Sequence, residues 1–440
     1  MPFRSHEGVC DTPLHLFVKF MDNTMVEQHP SSLPWRAYAL APLRFHGGGG
    51  LVGGDSYEEL VKHHSMNVLY ITEDYKGSKV HHQLTESIAQ SGVDVSVFSV
   101  VRHENYDPRV VSASHVCPIY GFQVPGHKRL RYKFDFRFKQ RLKGAHLLQQ
   151  VRVEEVDVVH ASTLFSDGAM AYRLYKKYGV PYVVAVRGTD VNFYLRYMLH
   201  LWPLGRKILK HACKVVFITA MLKENFKRSL FVKGLWHQIE PKCVVLPNGI
   251  DDYWLEHQHY SRHLSTAEKL LYIGAFDRNK NVTTLMKAVE QLRKKHPHLT
   301  LTLVGGSGEE HERIVKMCEA HPEMFCYLGK IFDKDRLRDV MREHDVFTMV
   351  SHSETFGLVY VESLSQGLPI LYTKGQGIDG TFREKVGEGA DSHRWKDIAR
   401  QLDRLLTNYE EYESIEKSIR CFSWKHIASQ YKLIYQDAVR

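Results

Sequence analysis

Two glutamates eight residues apart, Glu354 and Glu362, fall inside the stretch DVFTMVSHSETFGLVYVESLSQGLPILYT at 345–373. A β-rich run ending near Val350 leads into a polar loop, then Gly357, then a helical pattern closed by QGLP. Free N–H groups at a helix start, reinforced by the helix dipole, form a ready site for phosphate. The amides around Phe356, Gly357 and Leu358 are therefore expected to meet a diphosphate. A carboxylate can accept hydrogen bonds from two neighbouring hydroxyls. Glu362, about one turn into the helix, is placed to hold a ribose diol, and Glu354, in the loop ahead, to address a sugar beside the phosphates. The pair alone would say little, since any exposed helix can carry it; the strand, TFG and helix around it give it meaning.

Other chemistries find less support. Asp333 and Asp335 in FDKDRLRDVM sit where a helix begins, so capping explains them better than a metal does. His257, His259 and His263 fall in a polar, aperiodic segment and read as a solvated loop rather than a ligand set. No G-x-S-x-G elbow and no P-loop lysine motif occurs.

The elements that must position the glutamates alternate. VDVSVFSV, VDVVHA, PYVVAVR, KVVFIT and CVVLPNG are short apolar runs separated by helical patterns, and the alternation restarts after 265 in KLLYIGAF, LTLTLVGG, CYLGK, DVFTMVS and LPILYT. Runs apolar on both faces predict parallel sheets covered by helices on each side. The fold class is α/β, with two doubly wound Rossmann-like domains facing a cleft, because ligands of such sheets bind beyond the carboxyl ends of the strands. The expected domains are 66–255, 256–420, and a C-terminal helix, 421–440, crossing back to the first. Residues 1–65, with HGGGG at 46–50, lack periodicity and read as a flexible extension, and Met66 is a candidate true start.

The 440 residues carry 59 Lys and Arg against 50 Asp and Glu, a net +9 that favours anionic partners. Residues 125–144, PGHKRLRYKFDFRFKQRLKG, hold eight of these cations and one Asp, with aromatics interleaved. Two readings stand: a solvated helix and loop, or attachment to an anionic membrane surface. NFYLRYMLHLWPLGRKILK at 192–210 is a second membrane candidate whose apolar residues serve a core equally well. Neither an RNP-type aromatic motif nor a helix-turn-helix signal occurs, so nucleic acid is not an expected partner. Seven scattered cysteines without C-x-x-C pairs point to a reducing compartment. With no secretion signal and no membrane-spanning apolar run, the expected location is the cytoplasm, with any membrane contact peripheral and on the inner face.

In its strand, loop and helix context, Glu354 and Glu362 with seven residues between them make the sequence resemble the GT-B glycosyltransferases of family 4 (glycosyl transferases group 1). VVLPNGID at 244–251, YIGAFDRNKNVTTLMKAV at 272–289, LVGGSG at 303–308 and CFSWKHIASQYKLIY at 421–435 extend the likeness over nearly all of 66–440. The resemblance implies a retaining transferase that moves a sugar from a nucleotide-diphosphate sugar to a glycan or lipid-linked acceptor, with no cofactor and no metal. It assigns phosphate binding to Lys280. Ala275 stands where the family often has an arginine, and Arg278 in the same loop is the substitute. Gly274 joins the donor-binding group. On the acceptor side the resemblance points to Gly77 in the YKGSK turn, His160 at the end of VDVVHA, and Arg187 and Asp190 in AVRGTDVN. Arg187 replaces the family's sugar-contacting histidine, so an arginine's pairing with phosphates or an acidic acceptor is expected there instead. A structural turn, a satisfied core histidine and a helix cap are the bland accounts of Gly77, His160 and Asp190. The implied reaction is front-face, with the leaving phosphate helping to deprotonate the acceptor, in surface polysaccharide or glycoconjugate synthesis. The competing readings are a nucleotide-sugar epimerase of the same fold and a non-catalytic membrane or carbohydrate-binding scaffold.

Overall fold

The computed structural model describes residues 65–73, 75, 79–101, 117–260 and 267–440. The expected extension up to residue 64, the glycine turn with Gly77, and His263 lie outside the described residues.

Thirteen strands form among the described residues. The first seven are β1 (Asn67–Thr72), β2 (Asp94–Val101), β3 (Ile119–Gln123), β4 (Val158–Ala161), β5 (Tyr182–Val186), β6 (Lys214–Phe217) and β7 (Cys243–Val245). They make one sheet in the order β3-β2-β1-β4-β5-β6-β7. The remaining six are β8 (Lys269–Gly274), β9 (Thr300–Gly305), β10 (Phe325–Gly329), β11 (Val346–Thr348), β12 (Ile370–Thr373) and β13 (Gly387–Ala390), in the order β10-β9-β8-β11-β12-β13. All neighbours in the second sheet pair in parallel. Val68 to Ile71 and Tyr182 to Val186 are fully buried. That accounts for their continuous apolar runs: helices cover both faces of such a sheet, so no polar alternation is left to show.

The main helices are α1 (Lys79–Gln90), α2 (Arg129–Phe134), α3 (Phe136–Gln150), α4 (Gly168–Tyr178), α5 (Trp202–His211), α6 (Ala220–Lys227), α7 (Val282–Leu292), α8 (His311–Ala320), α9 (Lys334–Arg342), α10 (Leu358–Ser365), α11 (Trp395–Thr407) and α12 (Trp424–Val439). Asp333 caps α9 by accepting the Arg336 N–H at 2.7 Å, in keeping with capping rather than metal binding. The changeover between sheets lies between Val245 and Lys269. The described residues divide into compact units inside β5: those up to 183 with 435–440 form one, and those of 184–434 the other.

The basic stretch is corrected by its own helix. Asp135 caps α3 by accepting the Phe138 N–H at 2.9 Å, and this start turns Lys139 and Lys143 inward, to 3% and 0% exposure. Lys139 Nζ lies 2.5 Å from Glu73, and Lys143 Nζ lies 2.5 Å from Asp167 and 3.4 Å from Glu73. The Ser162 and Thr163 hydroxyls donate to the other Asp167 oxygen at 2.8 Å, and the Ser166 hydroxyl donates to Glu73. Two of the eight cations are therefore internal, held by carboxylates that follow β1 and open α4. Residues 192–210 are likewise partly core, with Phe193, Leu195, Leu201, Ile208 and Leu209 buried.

Removing one partner of a buried pair leaves a desolvated charge, which costs about 3–5 kcal/mol. Asp167→Ala should accordingly lower stability by roughly that amount. Double replacement of Lys143 and Asp167 by methionine and leucine should recover most of the loss, as read by urea denaturation.

Candidate active site

In the second sheet the chain moves outward from β8 to β9 on one side and from β11 to β12 on the other, so the adjacent ends of β8 and β11 form the point where strand order reverses. Loops leaving such a pair diverge and open a crevice at the carboxyl edge. Lys280 comes from the loop after β8 and Glu354 from the loop after β11. Their side chains meet, with Lys280 Nζ 2.8 Å from Glu354 Oε2 and side-chain exposures of 23% and 13%. The second carboxylate oxygen accepts the Thr355 N–H at 3.1 Å.

The two loops are stitched together by side-chain amides. Asn279 Oδ1 accepts the Ser353 N–H at 2.9 Å, its Nδ2 donates to the Ser353 carbonyl at 2.9 Å, and its own carbonyl accepts the His352 N–H at 2.7 Å. Gln376, after β12, accepts the Glu354 N–H at 2.9 Å and donates to the His352 carbonyl at 2.8 Å. Asn281 adopts φ +58 and donates to the carbonyls of Val350 at 3.1 Å and Ser392 at 2.7 Å. None of these amides was singled out from sequence. The usable signal was an Asn directly before a helix, since Asn tolerates the left-handed region better than most residues.

Gly357 precedes α10 with φ +77, and a Cβ there would lie 2.6 Å from the Tyr360 ring. Phe356 is buried, and the N–H groups of Phe356, Gly357 and Leu358 meet no acceptor among the described residues. Glu362 is half-buried, four residues into α10. Gly274 ends β8 opposite Gly305, where a Cβ on Gly305 would fall 2.0 Å from the Gly274 carbonyl oxygen. The loop after β9 is thereby drawn tight against the loop after β8, and the Phe276 N–H donates to the Ser307 carbonyl at 2.7 Å. Arg278 is 70% exposed with its Nε 4.0 Å from Glu309, so it is not gathered in with Lys280 and Glu354.

Residues 187–192, in the same compact unit, border this loop. A Cβ on Gly188 would lie 2.3 Å from Thr355 Oγ1, and Asn192 Nδ2 donates to Ser353 Oγ at 2.8 Å. Arg187 Nη1 donates to Asn248 Oδ1 at 3.0 Å. Asp190, expected on the acceptor side, is fully buried and accepts the Arg187 N–H at 2.9 Å. It fixes the turn rather than facing a ligand. His160 is corrected similarly: it is fully buried, 2.7 Å from the Tyr435 hydroxyl and edge-on to Tyr70 at 4.7 Å. It is a core residue tying the end of α12 to β4.

A model of the glycosyl transferases group 1 matches residues 256–421, and a model of glycosyltransferase family 4 matches 77–253. A solved structure from E. coli, described as trehalose-6-phosphate bound with UDP-2-fluoro glucose, shares the fold with a TM-score of 0.62 at 13% identity, covering 84% of this chain and 99% of that one. The chain belongs to the family 4 GT-B glycosyltransferases. It is 21% identical to the uncharacterized glycosyltransferase MJ1607 of Methanocaldococcus jannaschii, over 85% of this chain and 99% of the relative. It is 23% identical to the glycogen synthase of Mycobacterium tuberculosis, over 85% of this chain and 95% of the relative.

Beside Glu354 in this glycosyltransferase, the His352 ring stacks on His393 with centroids 4.6 Å apart. Burial, and then the neighbouring His393, hold His352 below its ordinary value, against a smaller opposing pull from Glu310. Burial also depresses His146 and His344. A histidine kept neutral in the native state contributes stability above its unfolded pKa of about 6.5 that is lost as pH falls below it. Denaturation midpoints should therefore drop between about pH 7 and 5, and His352→Gln should make that decline shallower.

Proposed function

We propose that this glycosyltransferase is a retaining enzyme that moves a sugar from a nucleoside-diphosphate sugar to a glycan or lipid-linked acceptor in surface polysaccharide or glycoconjugate assembly. The observation that carries the reading is the Lys280–Glu354 pair at the strand-order reversal, next to the open amides at the start of α10. In this reading Lys280 and the amides take up the charge of the departing diphosphate, the electrostatic stabilisation that dominates such chemistry. Glu362 holds the ribose diol, and Glu354 orients the sugar. Both Glu354 oxygens already accept hydrogen bonds, which suits a positioning acceptor better than a nucleophile and supports the front-face step. The working domains are 66–255 for the acceptor and 256–420 for the donor, with 421–440 returning to the first. The E. coli neighbour bound with UDP-2-fluoro glucose makes UDP-sugars the first donors to try.

The acceptor's membrane is approached through α2 and α3. Among the described residues no helix is long and apolar enough to cross a membrane. Leu130 is 73% and Phe134 41% exposed, and Arg131, Arg137 and Arg141 of the same two helices are exposed. Apolar side chains flanked by cations suit an anionic lipid surface on the cytoplasmic face, where each cation contributes about 1 kcal/mol.

A nucleoside diphosphate at a hundred times its dissociation constant should stabilise the protein by about 2.7 kcal/mol. Lys280→Ala and Glu362→Ala should each remove most of that gain in a thermal-shift screen of UDP, GDP and ADP, and equal binding by both variants would overturn the donor assignment. Vesicles containing phosphatidylglycerol, but not phosphatidylcholine alone, should sediment the protein. Combining Leu130→Ser with Arg131→Glu and Arg137→Glu should abolish this.

A further inference from the structure

Five consecutive backbone polar groups, from the His352 N–H through the His352 carbonyl, Ser353 N–H and Ser353 carbonyl to the Glu354 N–H, are all bonded to two residues. Asn279 takes three of them, at 2.7, 2.9 and 2.9 Å, and Gln376 takes two, at 2.8 and 2.9 Å. The Asn279 side-chain amide pairs with the Ser353 peptide as a neighbouring strand would, one donor and one acceptor each way. Gln376 likewise gives one donor and one acceptor, bridging the His352 carbonyl and the Glu354 N–H on either side of Ser353.

Asn279 is exposed and Gln376 half-exposed, so water could satisfy the four groups that their side-chain amides hold if the amides were absent, the His352 N–H keeping the Asn279 main-chain carbonyl. Satisfying buried polarity is therefore not their purpose, and what they add is order. A loop of three residues with free rotation at each would let the Glu354 carboxylate sample many positions. With both peptides fixed, it is held against Lys280 at 2.8 Å. A third amide, Asn192, reaches the Ser353 hydroxyl and leaves the backbone unconstrained.

We propose that Asn279 and Gln376 are positioning residues for the glycosyl-transfer step, acting through the backbone of residues 352–354 to fix Glu354 relative to Lys280 and the transferred sugar. The proposal rests on the reading that Glu354 and Lys280 act at the donor. Neutral amides suit the task because they pair with N–H and C=O groups alike, without adding a charge that would compete for Lys280 or repel a diphosphate.

The test uses Asn279→Ala, Gln376→Ala and Asn279→Asp in the full chain, with nucleotide release from whichever nucleotide sugar the wild-type protein turns over fastest. Both alanine variants should lose about tenfold or more in kcat, with KM for the nucleotide sugar moving less than about threefold. Asn279→Asp keeps the acceptor and loses the donor, so its rate relative to wild type should rise as pH is lowered and the carboxyl group regains a proton. Without any ligand, hydrogen exchange of peptides spanning 349–357 should quicken in both alanine variants and stay unchanged elsewhere. Unaltered exchange in that segment, or wild-type kcat in both alanine variants, overturns the proposal. Glu354→Gln separates the two layers. If it turns over like wild type the donor reading itself fails, whereas if it is inactive while the alanine variants are fully active only the positioning role fails.

Discussion

Where strand order reverses in a parallel sheet, two adjacent strands send their chains away in opposite directions, and no single connection can roof over both carboxyl ends. Every backbone group left there must find a partner or face water. Between β8 and β11 this condition governs the whole neighbourhood. The loop after β8 supplies Asn279 and Asn281, the loop after β12 supplies Gln376, and the loop after β11 receives their hydrogen bonds. Glycines serve the same end where a side chain would not fit, as at Gly305 against the Gly274 carbonyl and at Gly188 against the Thr355 side chain. The N–H groups that open α10 are left over, and they stand next to the one partly open lysine–glutamate pair of these loops.

The first sheet meets the same condition between β1 and β4 and resolves it differently. There Glu73 and Asp167 close on Lys139 and Lys143, two negative and two positive charges at near-complete burial, with hydroxyls filling the remaining acceptor positions. Such a cluster is compensated internally and has little attraction left for an ion from outside. The second sheet uses neutral amides to hold its loops and keeps a partly exposed cation in reserve. In the proposed reading an incoming dianion meets a field that its own arrival does not have to create, because the fixed dipoles are already aimed.

Most of the architecture was readable because strands buried on both faces write themselves as unbroken apolar runs, as in VVHA and YVVAV. The exceptions share a cause. GEGA carries almost no apolar surface, yet β13 forms at a sheet edge where Gly387 lets the chain approach the Ile370 carbonyl. The inward turn of Lys139 and Lys143 depends on carboxylates up to 70 positions away, and the burial of His160 depends on a hydroxyl 275 positions away. Local pattern carries the period of an element and the identity of a loop. It does not carry the partner that decides whether a charged or aromatic side chain points in or out. At the site, Glu354, Gly357 and Lys280 stood out through residue type and context, while Asn279 and Gln376 are ordinary loop residues until the opposing backbone is in view.

One further regularity follows from the topology. α7 begins directly after Asn281 at φ +58, and α10 directly after Gly357 at φ +77, so the loop that follows each strand enters its helix through a single left-handed residue. The loops themselves run over 275–281 and 349–357, and they set both helix starts at the carboxyl edge on either side of the strand-order reversal. Helix N-termini each carry about half a positive charge concentrated in the first turn. Two of them flank Lys280, whose own charge is partly balanced by Glu354. Inserting a residue at either left-handed position would move a helix start by several ångströms, about a residue's rise, and weaken its field where Lys280 stands. The sharp entry into each helix therefore serves electrostatics as well as sterics, and its left-handed backbone is why the positions that precede the helices are an asparagine and a glycine rather than side chains chosen to cap.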